Sequence, residues 1–125
     1  MRMPSATPRT HTRPAPSQGT HRIAAPERTR RYVFLLLDRF TMMAFASAIE
    51  PLRLANQVSG MKLYDWKLAS EDGHDVTCSN GTVMRVDMGL TEIGRDDTVL
   101  VCGGIDVAEA TTKPVLNWLR REARR

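Results

Sequence analysis

Two uninterrupted apolar runs constrain the fold more than anything else in the sequence: Tyr32-Val33-Phe34-Leu35-Leu36-Leu37 and Thr98-Val99-Leu100-Val101-Cys102. Neither alternates apolar with polar residues, so neither suits a strand with one wet face. Both read as central strands covered on two sides, as in a parallel sheet. The second run enters Gly103-Gly104, and Pro114 to Arg124 reads as the helix that follows. The sequence then ends at Arg125, where such a sheet needs its next strand. In open α/β sheets the ligand sits beyond the carboxyl ends of the strands. The expectation is therefore a chain that carries part of a site and not the rest of it.

Between the two runs the period changes. From Phe40 to Val58, Phe45, Ile49, Leu52 and Ala55 recur at helical spacing, with Ala44 and Ala48 offering a close-packing surface. Ser47-Ala48-Ile49-Glu50 has the form of a capping box, and Pro51 lacks the N–H that a helix interior uses. The expectation is a kinked helix from about 42 to 58, or two abutting pieces, ended by Ser59-Gly60. Asp65 to Ser70 reads as a second strand, with Trp66 and Leu68 on one side and Lys67 on the other. Val76–Ser79 and Thr82–Val86 flank Asn80-Gly81, the preferred pair for a two-residue type I′ hairpin turn. In the last helix Pro114 suits the first turn, Val115, Leu119 and Ala123 form the expected buried stripe, and Arg120, Arg121, Arg124 and Arg125 favour the carboxyl end of the helix dipole. Buried strands alternating with helices predict an α/β fold: a partial, doubly wound parallel sheet with a β-hairpin and helices on both faces.

The formal charge of +4 suggests a nucleic-acid binder until it is divided along the chain. Residues 1–31 hold seven of the 18 basic residues, all Arg, and one acid, Glu27; residues 32–125 carry a net −2. The basicity belongs to the leading segment, so the pI marks no basic domain face. Residues 1–31 also hold five of the seven prolines and little apolar surface, and are expected to be a disordered tail. Rival readings of that tail are a transit peptide, opposed by its prolines, a phosphate-binding arm, and an extension upstream of the true start. No apolar run approaches the roughly 20 residues that cross a bilayer, and no signal peptide precedes the first run. Cys78 and Cys102 have no metal-type spacing, and with so aliphatic a composition they point to a reducing cytoplasm.

Few residues look chemical. Gly103-Gly104 after a buried strand either lets a ligand approach the backbone or merely turns the chain. Cys102 and Cys78 read as small buried hydrophobes with no base beside them. Glu50, Arg53 and Asn56 form an i, i+3, i+6 polar series that either faces a cleft or is a solvated helix face. His74 lies in the acidic turn Glu71-Asp72-Gly73-His74-Asp75, without further histidines outside the tail to complete a metal site. The G-x-S-x-G, P-loop, HExxH and G-x-G-x-x-G patterns are absent. No catalytic residue, metal or cofactor is expected.

The order Phe34–Leu37, Phe40-Thr41-Met42-Met43, Ala48–Asn56 (AIEPLRLAN), Ser70–Gly73, Ser79–Gly81 and Val101–Gly104 resembles the ThiJ/PfpI superfamily, whose domain is glutamine-amidotransferase-like. More narrowly it resembles the amino-terminal half of AraC-type transcriptional regulators, above all those of quaternary-amine metabolism, such as choline and glycine-betaine regulators. The likeness spans about residues 32–125. It implies a flavodoxin-like or amidotransferase-like sheet, and a sensor that binds a small-molecule effector near its carboxyl edge. Phe40, Glu50, Arg53, Gly103 and Gly104 are the candidate ligand-binding residues there. It also implies DNA contact only through a C-terminal helix-turn-helix part missing here, a homodimer when intact, a cytoplasmic location and no membrane.

Departures from the family pattern bear on chemistry. The family's reactive-cysteine elbow would follow Arg125, and Ala44 stands where enzymatic members place an early acid. Glu50 matches a different, more general position. The expectation is an incomplete sensor domain over 32–125 with little or no activity of its own and an exposed sheet edge prone to association. The rival readings are a truncated ThiJ/PfpI-type enzyme, hydrolase or glyoxalase-like, and a small nucleic-acid-associated protein acting through its tail.

Overall fold

The computed structural model describes residues 28–125, together with Met3. The expectation of a disordered segment over residues 1–31 falls mostly outside the described residues. Its last part does not: the first strand, β1, runs Arg30–Leu36, and the Arg30 amide donates to the Leu63 carbonyl (3.1 Å). The strand therefore begins two residues before the apolar run.

After β1 come α1 (Met42–Ser59), β2 (Tyr64–Ala69), the short strands β3 (Val76–Thr77) and β4 (Val83–Met84), β5 (Thr98–Cys102), α2 (Val107–Ala110) and α3 (Lys113–Ala123). The main sheet has the order β2-β1-β5 and all its pairs are parallel, with Phe34 level with Leu68 on one side and Leu100 on the other. β3 and β4 form a separate antiparallel pair. The expected α/β architecture is thus the one observed, with a helix on each face.

The unbroken apolar run of β1 follows from that placement, because successive side chains point to opposite faces. Phe34 and Leu36 join Phe40, Phe45, Cys102 and the hairpin's Val76 and Cys78 in one core under α1. Val33, Leu35 and Leu37 join Ala69, Val115 and Trp118 in a second core under α3. β2 faces as its alternation predicts: Trp66 and Leu68 pack on the α1 side while Lys67 is exposed.

Several local expectations are corrected. Ser47 caps nothing: α1 starts at Met42 after Thr41 and runs unbroken through Pro51, so Ser47 and Glu50 lie inside it. Pro51 is tolerated because it and Ser47, whose carbonyl loses its partner, are both exposed and open to water. Ala44 is exposed rather than packed, whereas buried Phe45 and half-buried Ile49 and Leu52 do pack as one stripe on the core. Gly60 ends the helix in the left-handed conformation (φ 69°), as expected of a C-terminal glycine.

The hairpin turn is not type I′. The Gly81 amide donates to Cys78 and the Cys78 amide to Thr82, so the loop is Ser79-Asn80-Gly81 with Gly81 alone at positive φ (89°). That is the three-residue form with the glycine at the bulge. In α3 the buried residues are Val115 and Trp118, while Leu119 is half-buried and Ala123 exposed. The Trp118 indole donates to the Thr91 carbonyl (2.8 Å), which lets so large a side chain sit in the core. β5 is not covered on both sides along its length: Val101 is 46% exposed.

Candidate functional site

The carboxyl ends of β1 and β5 are neighbours, yet the chain leaves β1 for the α1 face and β5 for the α3 face. That divergence is the topological switch point where open parallel sheets form a crevice. The turn Asp38–Thr41 fills it and is bonded on both sides. The Thr41 amide donates to the Gly103 carbonyl (3.1 Å), and the Leu37 amide to Cys102 (3.1 Å). On the hairpin side the Arg39 amide donates to Thr77 (2.9 Å) and the Ser79 amide to Phe40 (2.9 Å). Arg39 takes φ 59°, the only non-glycine among the described residues at positive φ. Its guanidinium reaches the Asp106 carboxylate (3.2 Å) in the loop beyond Gly104.

Beside this turn, at the carboxyl ends of β1 and β2, lies an open cavity of about 420 Å³. Leu36, Leu37, Val76 and Ala110 give it an apolar floor, and Asp38, Glu71, Asp72 and Asp75 bring four carboxylates with no Lys or Arg among its lining residues. The acidic loop is built rather than loose. The Ser70 hydroxyl, nearly buried, donates to the His74 carbonyl (2.8 Å). The His74 amide donates to the Asp72 carboxylate (2.9 Å) and, with the Ser70 hydroxyl, holds Asp72 below the usual carboxylate range. Gly73 at φ 78° and Gly89 approach so closely that a β-carbon on Gly73 would stand 3.2 Å from the Gly89 nitrogen. The outer Thr112 hydroxyl donates to Glu71 (2.8 Å), tying the loop to the start of α3.

The five candidate ligand residues fall into two groups. Phe40, Gly103 and Gly104 come together at the switch point, but Phe40 is fully buried, T-stacked on Phe45, and presents no face to a ligand. Gly104 is required by proximity, since a β-carbon there would overlap the Arg39 carbonyl. Glu50 and Arg53 lie about two and three turns along α1, roughly 12 and 17 Å from its start at 1.5 Å per residue, and bind each other on its exposed side. Arg53 also donates to Gln57 (3.0 Å). Glu50 is lowered first by its hydrogen bond with Arg53, and Arg53 is raised by the same bond. Asn56, third in that polar series, turns inward and clamps β2: its amide donates to the Tyr64 carbonyl (2.9 Å) and its oxygen accepts from the Leu63 and Tyr64 amides.

Cys78 and Cys102 are free, buried thiols. Burial pushes Cys102 up, away from the reactive thiolate, and Cys78 donates to the Asn80 side chain. No group of His, Cys, Asp and Glu among the described residues has the geometry to hold a metal. The cavity itself was not anticipated. Its one sequence signal is Asp38 directly after an apolar strand together with the acids of the Glu71–Asp75 turn, and only the fold brings the two loops together.

No protein-family model matches the chain. The HTH-type transcriptional regulator GbdR of Pseudomonas aeruginosa is 44% identical over 91 residues, 73% of this chain and 25% of GbdR. This chain thus spans about a quarter of that relative's length. An AraC family transcriptional regulator from Pseudomonas putida superposes with a TM-score of 0.64 at 25% identity, covering 76% of this chain and 58% of that one. A ThiJ/PfpI family protein from Pseudomonas syringae superposes at 0.63 over 92% of this chain and 47% of that one; at 18% identity the likeness is one of fold. The homologues are transcriptional regulators, and the fold is that of ThiJ/PfpI proteins. No helix of the described residues is long and apolar enough to cross a membrane.

Proposed function

We propose, from homologues that are HTH-type transcriptional regulators, that this chain is the ligand-sensing amino-terminal portion of an AraC-type regulator built on a ThiJ/PfpI-like sheet. The observation that carries this reading is the 44% identity to GbdR over 91 residues. The intact regulator would be a cytoplasmic homodimer that binds a small-molecule effector at the carboxyl edge of the sheet. DNA contact would belong to a helix-turn-helix part beyond the residues present here.

The effector we favour is a choline- or betaine-like amine. Support comes from the cavity at Asp38, Glu71, Asp72 and Asp75, where four carboxyl groups surround an apolar floor without a cationic lining residue. A ligand with a cationic head and methyl groups matches both parts of that lining. Gly103, Gly104 and Phe40 would shape the adjoining turn, so that an occupant pressing on Asp38 is felt at the β5 loop through the Thr41–Gly103 bond. Glu50 and Arg53, paired with each other on the exposed side of α1, are not among the residues that line this cavity. Sensing rather than catalysis is supported by Ala44 in the position of the early acid and by two buried cysteines.

The test is thermal denaturation and calorimetry of the chain with choline, glycine betaine and a dicarboxylate control. A ligand that binds only the native state raises the melting temperature with concentration. The cation should do so, the dicarboxylate should not, and Asp72→Asn with Asp75→Asn should abolish the shift. Binding of the dicarboxylate alone, or turnover of a ThiJ/PfpI-type substrate, would overturn the reading.

A further inference from the structure

We propose that Asn80 is a site of spontaneous covalent modification: its side-chain amide closes on the Gly81 nitrogen, and water then opens the ring to aspartate or isoaspartate. The hairpin sets the pace of this change, and the isoaspartate product unseats the hairpin from the β1–α1 turn. The chemistry needs only water and holds whatever the chain senses.

The described residues contain two turns of one design. In each, an Asp or Asn precedes a glycine at positive φ, and its side-chain oxygen accepts from the amide two residues on. In Asp72-Gly73-His74 that bond is 2.9 Å, with Gly73 at φ 78°; in Asn80-Gly81-Thr82 it is 2.9 Å, with Gly81 at φ 89°. The attacking atom in each is the glycine nitrogen, whose residue carries no β-carbon to hinder it. The two turns differ at the group attacked. Asp72 offers a carboxylate that the His74 amide keeps ionised, and an ionised carboxylate repels a nucleophile. Asn80 offers a neutral amide that can release ammonia, and it is exposed to the water that the second step consumes. Gly73 is also wedged against Gly89, whereas a β-carbon on Gly81 would meet nothing within 4 Å. Asn80 is the labile position and Asp72 the inert one.

In the first step the Gly81 nitrogen loses its proton and bonds to Asn80 Cγ, and the Cγ–Nδ2 bond breaks to release ammonia. In the second, water adds to a ring carbonyl. Addition at Cγ restores the original main chain as aspartate. Addition at the backbone carbonyl carbon of Asn80 leaves the chain running through Cβ and Cγ as isoaspartate. The sum is a water taken up and an ammonia lost.

The fold restrains the first step. The Gly81 N–H donates to the Cys78 carbonyl (3.0 Å), and the Asn80 oxygen is held by the Thr82 amide and the Cys78 thiol. Reaction therefore proceeds through local opening of the turn. Its product matters because of what the hairpin supports. The Cys78 amide closes the turn on Thr82, the Ser79 amide donates to Phe40, and the Thr77 carbonyl accepts from Arg39, each at 2.9 Å. Isoaspartate adds a methylene to the main chain between Ser79 and Gly81, so these bonds cannot all be kept. Aspartate retains the acceptor for Thr82 and keeps them. None of these bonds involves β5.

The experiment ages the 125-residue chain in neutral and mildly alkaline buffer, with and without denaturing urea. Trypsin releases residues 68–85, which hold both turns, after Lys67 and Arg85. Mass spectrometry of that peptide reads the change from amide to acid and separates the two isomers. In the native chain Asn80 should convert to both acids, faster at the higher pH and severalfold slower than in urea, while Asp72 stays unchanged. The isoaspartate fraction of the aged chain should melt below the fresh protein, and Asn80→Asp should melt with it. A native chain that never converts, or converts as fast as in urea, would overturn the proposal. So would isomerisation at Asp72 that keeps pace with Asn80, or an isoaspartate fraction that melts with Asn80→Asp.

Discussion

The carbonyl oxygen of Arg39 occupies the space that a β-carbon on Gly104 would need. The β1–α1 turn and the β5 loop meet backbone to backbone there, and the Thr41–Gly103 hydrogen bond holds them together. Gly104→Ala should therefore cost about 2 kcal/mol, the range of overpacking against rigid neighbours. Gly103→Ala should cost less, because the atom it meets, at 2.7 Å, is the Val107 Cγ2 methyl, which can turn aside. Urea denaturation of both variants checks the order; equal losses would contradict the geometry.

Arg39 itself is held at φ 59°, a conformation that costs an ordinary side chain on the order of 1 kcal/mol and a β-branched one more. Arg39→Asn should leave stability within a few tenths of a kcal/mol, since asparagine tolerates this region and the lost Asp106 pair is an exposed one. Arg39→Val should destabilise by about 1–2 kcal/mol. The same denaturation series measures both.

How far the sequence carries a reader depends on the range of the interaction concerned. The strand of Phe34 was legible because burial on two faces forces a continuous apolar run, and the α1 stripe of Phe45, Ile49 and Leu52 because one helix face packs on the sheet. Ser47 misled because S-x-x-E is the same string inside a helix as at its start. Where the hydrogen-bond ladder begins is decided by Thr41, which the neighbouring loop pins. Asn80-Gly81 marked the hairpin, but the bond from Gly81 to Cys78 shifted the turn by one residue. Trp118 was passed over because its burial needs the Thr91 carbonyl, 27 residues away. At the site, the place of Gly103-Gly104 was visible and its cause was not, since that cause is the Arg39 carbonyl. The cavity was invisible because Asp38 and Asp72 belong to loops joined only in three dimensions.

Asn56 offers a test of the seam between α1 and β2. One side chain satisfies three backbone groups, the carbonyl of Tyr64 and the amides of Leu63 and Tyr64. In a half-buried setting, orphaning them should cost about 2 kcal/mol in Asn56→Ala. Asn56→Asp keeps the acceptor and loses only the donor, and should fall between alanine and wild type. An alanine variant as stable as wild type would mean that water replaces the clamp.

The carboxylates set a direction for the acid response. The His74 amide holds Asp72 low. Burial pushes Glu122 up, but the Arg125 and Arg121 guanidiniums outweigh it and leave Glu122 low as well. A group whose folded pKa lies below its unfolded one stabilises the fold above the unfolded value, and that contribution is lost as pH falls through the folded one. Stability should therefore be level from neutral pH down to the ordinary carboxylate range, near pH 4, and decline below it. Glu122→Gln lowers the plateau and flattens the acid limb, because the amide cannot titrate and pairs less well with Arg125. Arg125 also donates to the Ile93 carbonyl (2.8 Å) and binds Glu92 (2.8 Å), so α3 stays docked in that variant and the comparison isolates the charge. Melting temperatures across pH for the two proteins decide it, and identical acid limbs would remove Glu122 from the account.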